Sequence, residues 1–146
     1  MAIPAVGDRI SDNTLYDLED KEHNLKDFTG TYLLLEFWSV TCMVCMKVSK
    51  ELKDIHEKYQ NKVNIIGLNM DTQKSLWEQG TARDGIRWTN LSDGQGSSAG
   101  IGNEYGVFSY PAFVLVNPEG IIVDRWMGYK PGRIEEKIKE HLKGEG

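Results

Sequence analysis

Only two cysteines, Cys42 and Cys45, and only four prolines occur in this chain of 146 residues. Two cysteines cannot make a disulfide framework, and alone they cannot supply the four ligands of a structural zinc site. No stretch approaches the roughly 18 apolar residues that a membrane-spanning helix needs. Residues 1–10, MAIPAVGDRI, lack the charged, apolar and cleavage regions of a signal peptide, so the chain reads as a mature or trimmed form. No Lys/Arg run is present and the formal charge is −5, which argues against nucleic acid as a partner. The glycines between Gly94 and Gly102 are not followed by Lys-Ser/Thr, so they do not form a phosphate-binding loop. His23, His56 and His141 are scattered, read as surface residues, and define no His–Cys pair. Repeats, low-complexity tracts and long linkers are missing too. What remains is an ordinary globular composition, 40% apolar and 27% charged. It fits one domain, residues 1–146, large enough to bury about 68–70% of its unfolded surface without a covalent staple.

Periodicity then orders the chain. Thr14 to Leu18 alternates as a short strand, Glu19 to Glu22 turns, and His23 to Leu25 returns as a hairpin partner. Tyr32 to Trp38 is apolar on both faces, as a central strand should be. Cys45, Val48, Leu52, Ile55 and Tyr59 follow at helical steps, giving one apolar stripe on a helix over Met46 to Tyr59. Val63 to Met70 is a second buried strand, and Asp71 or Thr72 could cap a helix over Gln73 to Gln79. The glycine-rich stretch to Gly106 reads as a short strand at Arg87 to Leu91, a loop, and a short helix at Ala99 to Tyr105. Ala112 to Asn117 and Ile121 to Met127 form a hairpin about Pro118-Glu119-Gly120. A terminal helix then aligns Ile134, Ile138 and Leu142. Strands alternating with helices imply an α/β sandwich, with helices covering both faces of a mostly parallel sheet and an antiparallel hairpin at one end.

The chemistry collects at Cys42-Met43-Val44-Cys45, where a buried strand hands over to a helix. A thiol in the first turn of a helix sits at the positive end of the helix dipole, which favours its thiolate. A second thiol three residues on can close a disulfide with it. Cys42, the more exposed, is the expected nucleophile, and Cys45 the buried resolving thiol; the bland alternative is two inert buried cysteines. Glu36 is the only charge between Tyr32 and Lys47. Inside a strand with no obvious exposed face its pKa should rise, unless the strand is an edge and Glu36 reaches solvent. Pro111 opens a buried strand, an odd place for an ordinary proline.

Phe37-Trp38-Ser39-Val40-Thr41-Cys42-Met43-Val44-Cys45-Met46-Lys47 resembles the F-W-x-x-W-C-x-x-C-x-K active-site stretch of the thioredoxin superfamily. Three further features resemble its TlpA/ResA-type branch of bacterial envelope thiol-disulfide oxidoreductases. One is Leu25 to Gly30, similar to L-x-D-F-x-G-K. Another is an insert of some forty residues before Tyr110-Pro111. The third is the Phe113 to Gly120 hairpin. The resemblance implies a thioredoxin-like three-layer α/β/α sandwich with a mixed central sheet, an N-terminal hairpin and a central insert. It also implies exchange of protein disulfides by Cys42 and Cys45. Glu36 matches the position of a buried acid that moves a proton for the resolving cysteine, and Pro111 that of a cis proline lying against the sulfurs. Tyr110, Trp38, Thr41, Met43 and Val44 would surround a bound substrate.

The same resemblance implies a disulfide-containing protein substrate, an upstream thiol donor and a monomeric chain. No cofactor or metal is implied, and the compartment is the periplasm or cell envelope, with the cytoplasm as second choice. Thr41 stands where the family usually has Trp, Met43-Val44 replaces Gly-Pro or Glu-Pro, and Val48 replaces a Glu of some cytochrome-maturation members. The first two departures leave the direction of exchange open, and the third speaks against a specialised haem-maturation role. A peroxiredoxin-type peroxidase is the enzymatic alternative, disfavoured because no P-x-x-x-T-x-x-C stretch precedes Cys42. A thioredoxin-fold interaction module is the non-enzymatic one.

Overall fold

A computed structural model describes residues 2–143. The short hairpin of β1 (Thr14–Tyr16) and β2 (Glu22–Asn24) forms its own antiparallel pair, followed by a 3-10 turn over Leu25–Phe28. The main sheet contains β3 (Tyr32–Trp38), β4 (Val63–Asn69), β5 (Thr89–Leu91), β6 (Ala112–Val116) and β7 (Ile122–Met127). Its order is β5-β4-β3-β6-β7, with β3, β4 and β5 parallel and β6 and β7 antiparallel to their neighbours. Helices α1 (Cys45–Lys58), α2 (Lys74–Asp84), α3 (Gly100–Glu104) and α4 (Arg133–Lys143) complete the chain. The α/β sandwich and N-terminal hairpin are as expected, and the sheet is mixed.

The central strand β3 is buried at every position, because it has a neighbour on each side and cover on each face. Leu33, Leu35 and Phe37 face one cluster, closed by Leu15, Leu25, Ile101 and Tyr105 from the N-terminal region and α3. Leu34 faces a second, closed by Val48, Leu52 and Ile55 of α1 and by Ile134 and Ile138 of α4. The alternation of a strand places Glu36 and Trp38 on this helix-covered side. Trp38 joins a third cluster with Cys42, Cys45 and Trp77, so α1 and α2 meet over the end of β3.

Two helix boundaries differ from expectation. Helix α2 runs on from Gln79 to Asp84, and ends at Gly85 in the left-handed conformation with φ 63°. Its Gly80 is tolerated inside the helix because the indole of Trp38 occupies the space a side chain would need. An added Cβ would lie 2.7 Å from Trp38 Cζ3. Gln73, without a side-chain hydrogen bond, takes the N-cap place expected of Asp71 or Thr72. Asp71 is engaged elsewhere, as described below. The histidines are half-buried, His23 against Asp17, His56 beside Trp88 and His141 against Asp124.

The seam between Gly80 and Trp38 gives a direct test. Gly80→Val should destabilise the fold by about 2 kcal/mol through overpacking, read from urea unfolding. An unchanged midpoint would mean that α2 does not press on Trp38.

Candidate active site

Cys42 and Cys45 are joined as a disulfide with their Cα atoms 5.3 Å apart. Cys42 is 7% exposed and Cys45 fully buried, so the less buried of the two cysteines is the expected one. Their placement corrects one expectation. Cys45, not Cys42, opens α1, and Cys42 lies ahead of the helix with its carbonyl accepting from Cys45 N–H at 3.1 Å. The N-cap residue Val44 makes no side-chain bond, and the first turn carries no acid. No acidic side chain therefore offsets the positive end of α1 beside the cysteines, which favours anionic sulfur there.

Pro111 follows a cis Tyr110–Pro111 bond, as anticipated. Phe37 pairs with Ala112, so Pro111 comes immediately beyond, at the level of Trp38. Tyr110 packs against the cluster that contains both cysteines. Thr41 and Met43 are exposed, Met43 by 70%, while Val44 is half-buried against the sulfurs. Met46, Phe108 and Met127 add exposed apolar surface.

Glu36 sits in the middle of β3, flanked by Gly67 of β4 and Phe113 of β6. It is 1% exposed, and neither carboxyl oxygen has a hydrogen-bond partner. The edge-strand alternative is excluded. Desolvation, seconded by the charge of Asp84, pushes its pKa from 4.5 up to about 8. It shares a face of β3 with Trp38, on which Cys45 packs. The two cysteines, Trp38 and Tyr110 thus form one cluster, with Glu36 buried two residues back along the strand.

Several residues of the site were not anticipated. Asp71, at the end of β4, accepts from Ser39 Oγ at 2.8 Å, Val40 N–H at 3.0 Å and Asn69 Nδ2 at 2.8 Å. Ser39 Oγ accepts from Thr41 N–H at 3.2 Å. Arg83 Nη1 donates to Val40 O at 2.7 Å. The loop leading into Cys42 is therefore fixed from β4 and α2. The only sequence signal was an acid placed just after a buried strand, and it reads equally well as a helix cap. Among the described residues no group of three or more His, Cys, Asp or Glu is placed to hold a metal ion, and no helix is long and apolar enough to cross a membrane.

Residues 6–125 match the AhpC/TSA family model. The chain belongs to the AhpC/TSA family. Within this family it is 30% identical over 139 residues to the thiol-disulfide oxidoreductase ResA of Geobacillus thermodenitrificans, covering 94% of this chain and 76% of that protein. Among solved structures it resembles the thioredoxin domain of a thiol-disulfide oxidoreductase from Bacteroides vulgatus. That match has 26% identity, a TM-score of 0.80, and coverage of 92% of this chain and 97% of that one. A thiol-disulfide oxidoreductase from Bacteroides fragilis shares the fold at TM-score 0.80 and 23% identity, over 91% and 98% of the two chains. This AhpC/TSA member has a thioredoxin-like fold and is a thiol-disulfide oxidoreductase with its CxxC pair at the start of a helix.

The buried carboxyl has a consequence for stability. Between about pH 4.5 and about pH 8 the unfolded chain has lost the Glu36 proton while the folded chain keeps it. Stability therefore falls as pH rises through that window. Glu36→Gln should flatten this fall in urea unfolding series across the same range. A slope as steep as that of the parent would mean that Glu36 is already ionised in the fold.

Proposed function

We propose that this protein reduces disulfides of protein substrates outside the cytoplasm, in the bacterial envelope, acting as a monomer. One observation carries the reading: a disulfide at the start of α1, where no acidic side chain offsets the positive end of the helix, with Cys42 the less deeply buried of its two residues.

The cycle begins from the dithiol. Cys42 thiolate attacks one sulfur of the substrate disulfide; that bond breaks and a mixed disulfide forms. The released substrate sulfur takes a proton from solvent. Cys45 gives its proton to ionised Glu36, and the Cys45 thiolate attacks Cys42 Sγ. The Cys42–Cys45 bond forms, the mixed disulfide breaks, and the second substrate sulfur takes a proton from solvent. The substrate leaves as a dithiol carrying two electrons while Glu36 returns its proton to solvent. An upstream dithiol donor then restores the pair by the same exchange in reverse. Glu36 acts as a base only when ionised, so resolution should quicken as pH rises through about 8.

Around the sulfurs, Tyr110 and Trp38 frame the site, and Thr41, Met43 and Val44 present the surface that a partner meets. Exposed Met43, Met46, Phe108 and Met127 fit apolar polypeptide better than a small charged disulfide. The envelope assignment rests on likeness to the TlpA/ResA-type branch.

Insulin-disulfide reduction tests the activity. The parent should be active and Cys42→Ser inactive, and Cys45→Ser should trap the mixed disulfide. Activity surviving Cys42→Ser would overturn the reading, and turnover of peroxide in place of insulin would make the protein a peroxidase. For Glu36, Glu36→Gln should slow resolution of the mixed disulfide above neutral pH. Identical rates from about pH 6 to 9, on both sides of the carboxyl's value, would remove Glu36 from the mechanism.

A further inference from the structure

Trp38 ends β3 with its indole set between two glycines. Gly80 of α2 lies against its six-membered ring, at Cζ3. Gly67 of β4 lies against its N–H edge. A Cβ at Gly67 would come 3.3 Å from Trp38 Nε1, and 3.6 Å from both Asn90 Oδ1 and Thr89 O. The Trp38 N–H is buried and has no hydrogen-bond partner among the described residues. Asn90 is already engaged: its Oδ1 accepts from Trp77 Nε1 at 3.0 Å and its Nδ2 donates to Thr81 Oγ1 at 2.9 Å.

Gly67 is also the β4 neighbour of Glu36. Paired residues on adjacent strands share a face of the sheet, about 4.8 Å apart. The row at this level reads Phe113, Glu36, Gly67, Asn90, and at Gly67 it has no side chain. A glutamate, with Cγ and Cδ beyond its Cβ, is long enough to bring its carboxyl across one strand spacing. The space it would enter is the one that borders the Trp38 N–H. A buried donor and a buried carboxyl, neither with a partner, thus adjoin the same missing Cβ.

The other elements around Glu36 offer it no cation. From α1 come Cys45, Val48 and Leu52, and from α4 Ile134 and Ile138; of these only the Cys45 thiol, once reduced, titrates. The charge of Asp84 on α2 opposes ionisation. A carboxylate buried here is costly without a donor, and a charge-assisted hydrogen bond is about twice as strong as a neutral one.

We propose that the Trp38 indole N–H is the donor that receives Glu36 when it ionises, across the space Gly67 leaves open. Trp38 is then a positioning residue for disulfide exchange. Its bond favours the form of Glu36 that can take a proton from Cys45. The same indole packs with both cysteines, so one side chain serves the base and walls the sulfur site. The inference rests on Glu36 as the proton carrier for Cys45 and adds the group that stabilises its ionised form.

The test follows the Trp38 indole N–H by NMR against pH in the oxidised protein, in which neither cysteine titrates. Trp38→Phe assigns the signal. In the parent the indole proton should move downfield in one step at the Glu36 midpoint, and the step should vanish in Glu36→Gln. Read from its carboxyl carbon, the Glu36 midpoint should rise by about one to two pH units in Trp38→Phe, the worth of a hydrogen bond to a charged group. Gly67→Ala keeps the indole but sets a Cβ 3.3 Å from Nε1, and should raise the midpoint in the same direction. In both variants the pH profile of mixed-disulfide resolution should move up with the midpoint. An indole signal that stays flat through the Glu36 step would overturn the proposal, and that result needs no variant to fold. So would an unmoved Glu36 midpoint in folded Trp38→Phe. Indole coupling with resolution rates unchanged in Glu36→Gln would instead strike Glu36 as the proton carrier, and with it the part of Trp38 in exchange.

Discussion

A carboxyl group lies in the middle of the central strand with no hydrogen-bond donor for either oxygen. Ionising it there means placing a charge in apolar surroundings, so it holds its proton to about pH 8. Much of the neighbouring structure follows from keeping that group dry. β3 has partners on both edges, α1 and α2 close over its end, and the Trp38 indole fills the gap between them. Asp84, one turn beyond the glycine that lets the indole in, has its side chain sealed from solvent. A proton-holding group is thus buried two residues back along β3 from Trp38, which clusters with both cysteines.

The loop bearing Cys42 is held by a different kind of interaction. Asp71 gathers Ser39, Val40 and Asn69, and Arg83 takes the Val40 carbonyl. Such charge-assisted bonds are stronger than neutral ones, and this matters where the loop must keep its shape while its sulfur changes partners. The clamp comes from two elements, the end of β4 and the last turn of α2. Met43, at the tip of the CxxC loop, is left free to meet a partner.

The sequence made some of this legible and hid the rest for physical reasons. The strands β3 and β4 and the helix α1 announce themselves by apolar runs and helical spacing. Cys42, Cys45, Glu36 and Pro111 stand out because each is chemically out of place in an apolar run or at a strand start. Asp71, Arg83 and Asp84 do not stand out, because a polar residue near a helix end is what any solvated helix shows. Only the fold reveals that Asp71 turns back to the loop and that Asp84 is buried. Gly80 was similarly opaque: in sequence it weakens a helix, and in the fold it is the contact that lets the helix sit down. The position of Cys42 ahead of α1 turned on how the chain enters the helix, which spacing alone does not resolve.

The most direct measurement is the midpoint potential of the Cys42–Cys45 pair as a function of pH, in the parent and in Glu36→Gln. If Glu36 takes the proton of Cys45 on reduction, its affinity for a proton must differ between the two redox states. The parent curve should therefore bend in a window beginning near the Glu36 value of about 8, and the Gln variant should lack that bend. Superimposable curves for the two proteins would contradict a proton carrier coupled to the disulfide.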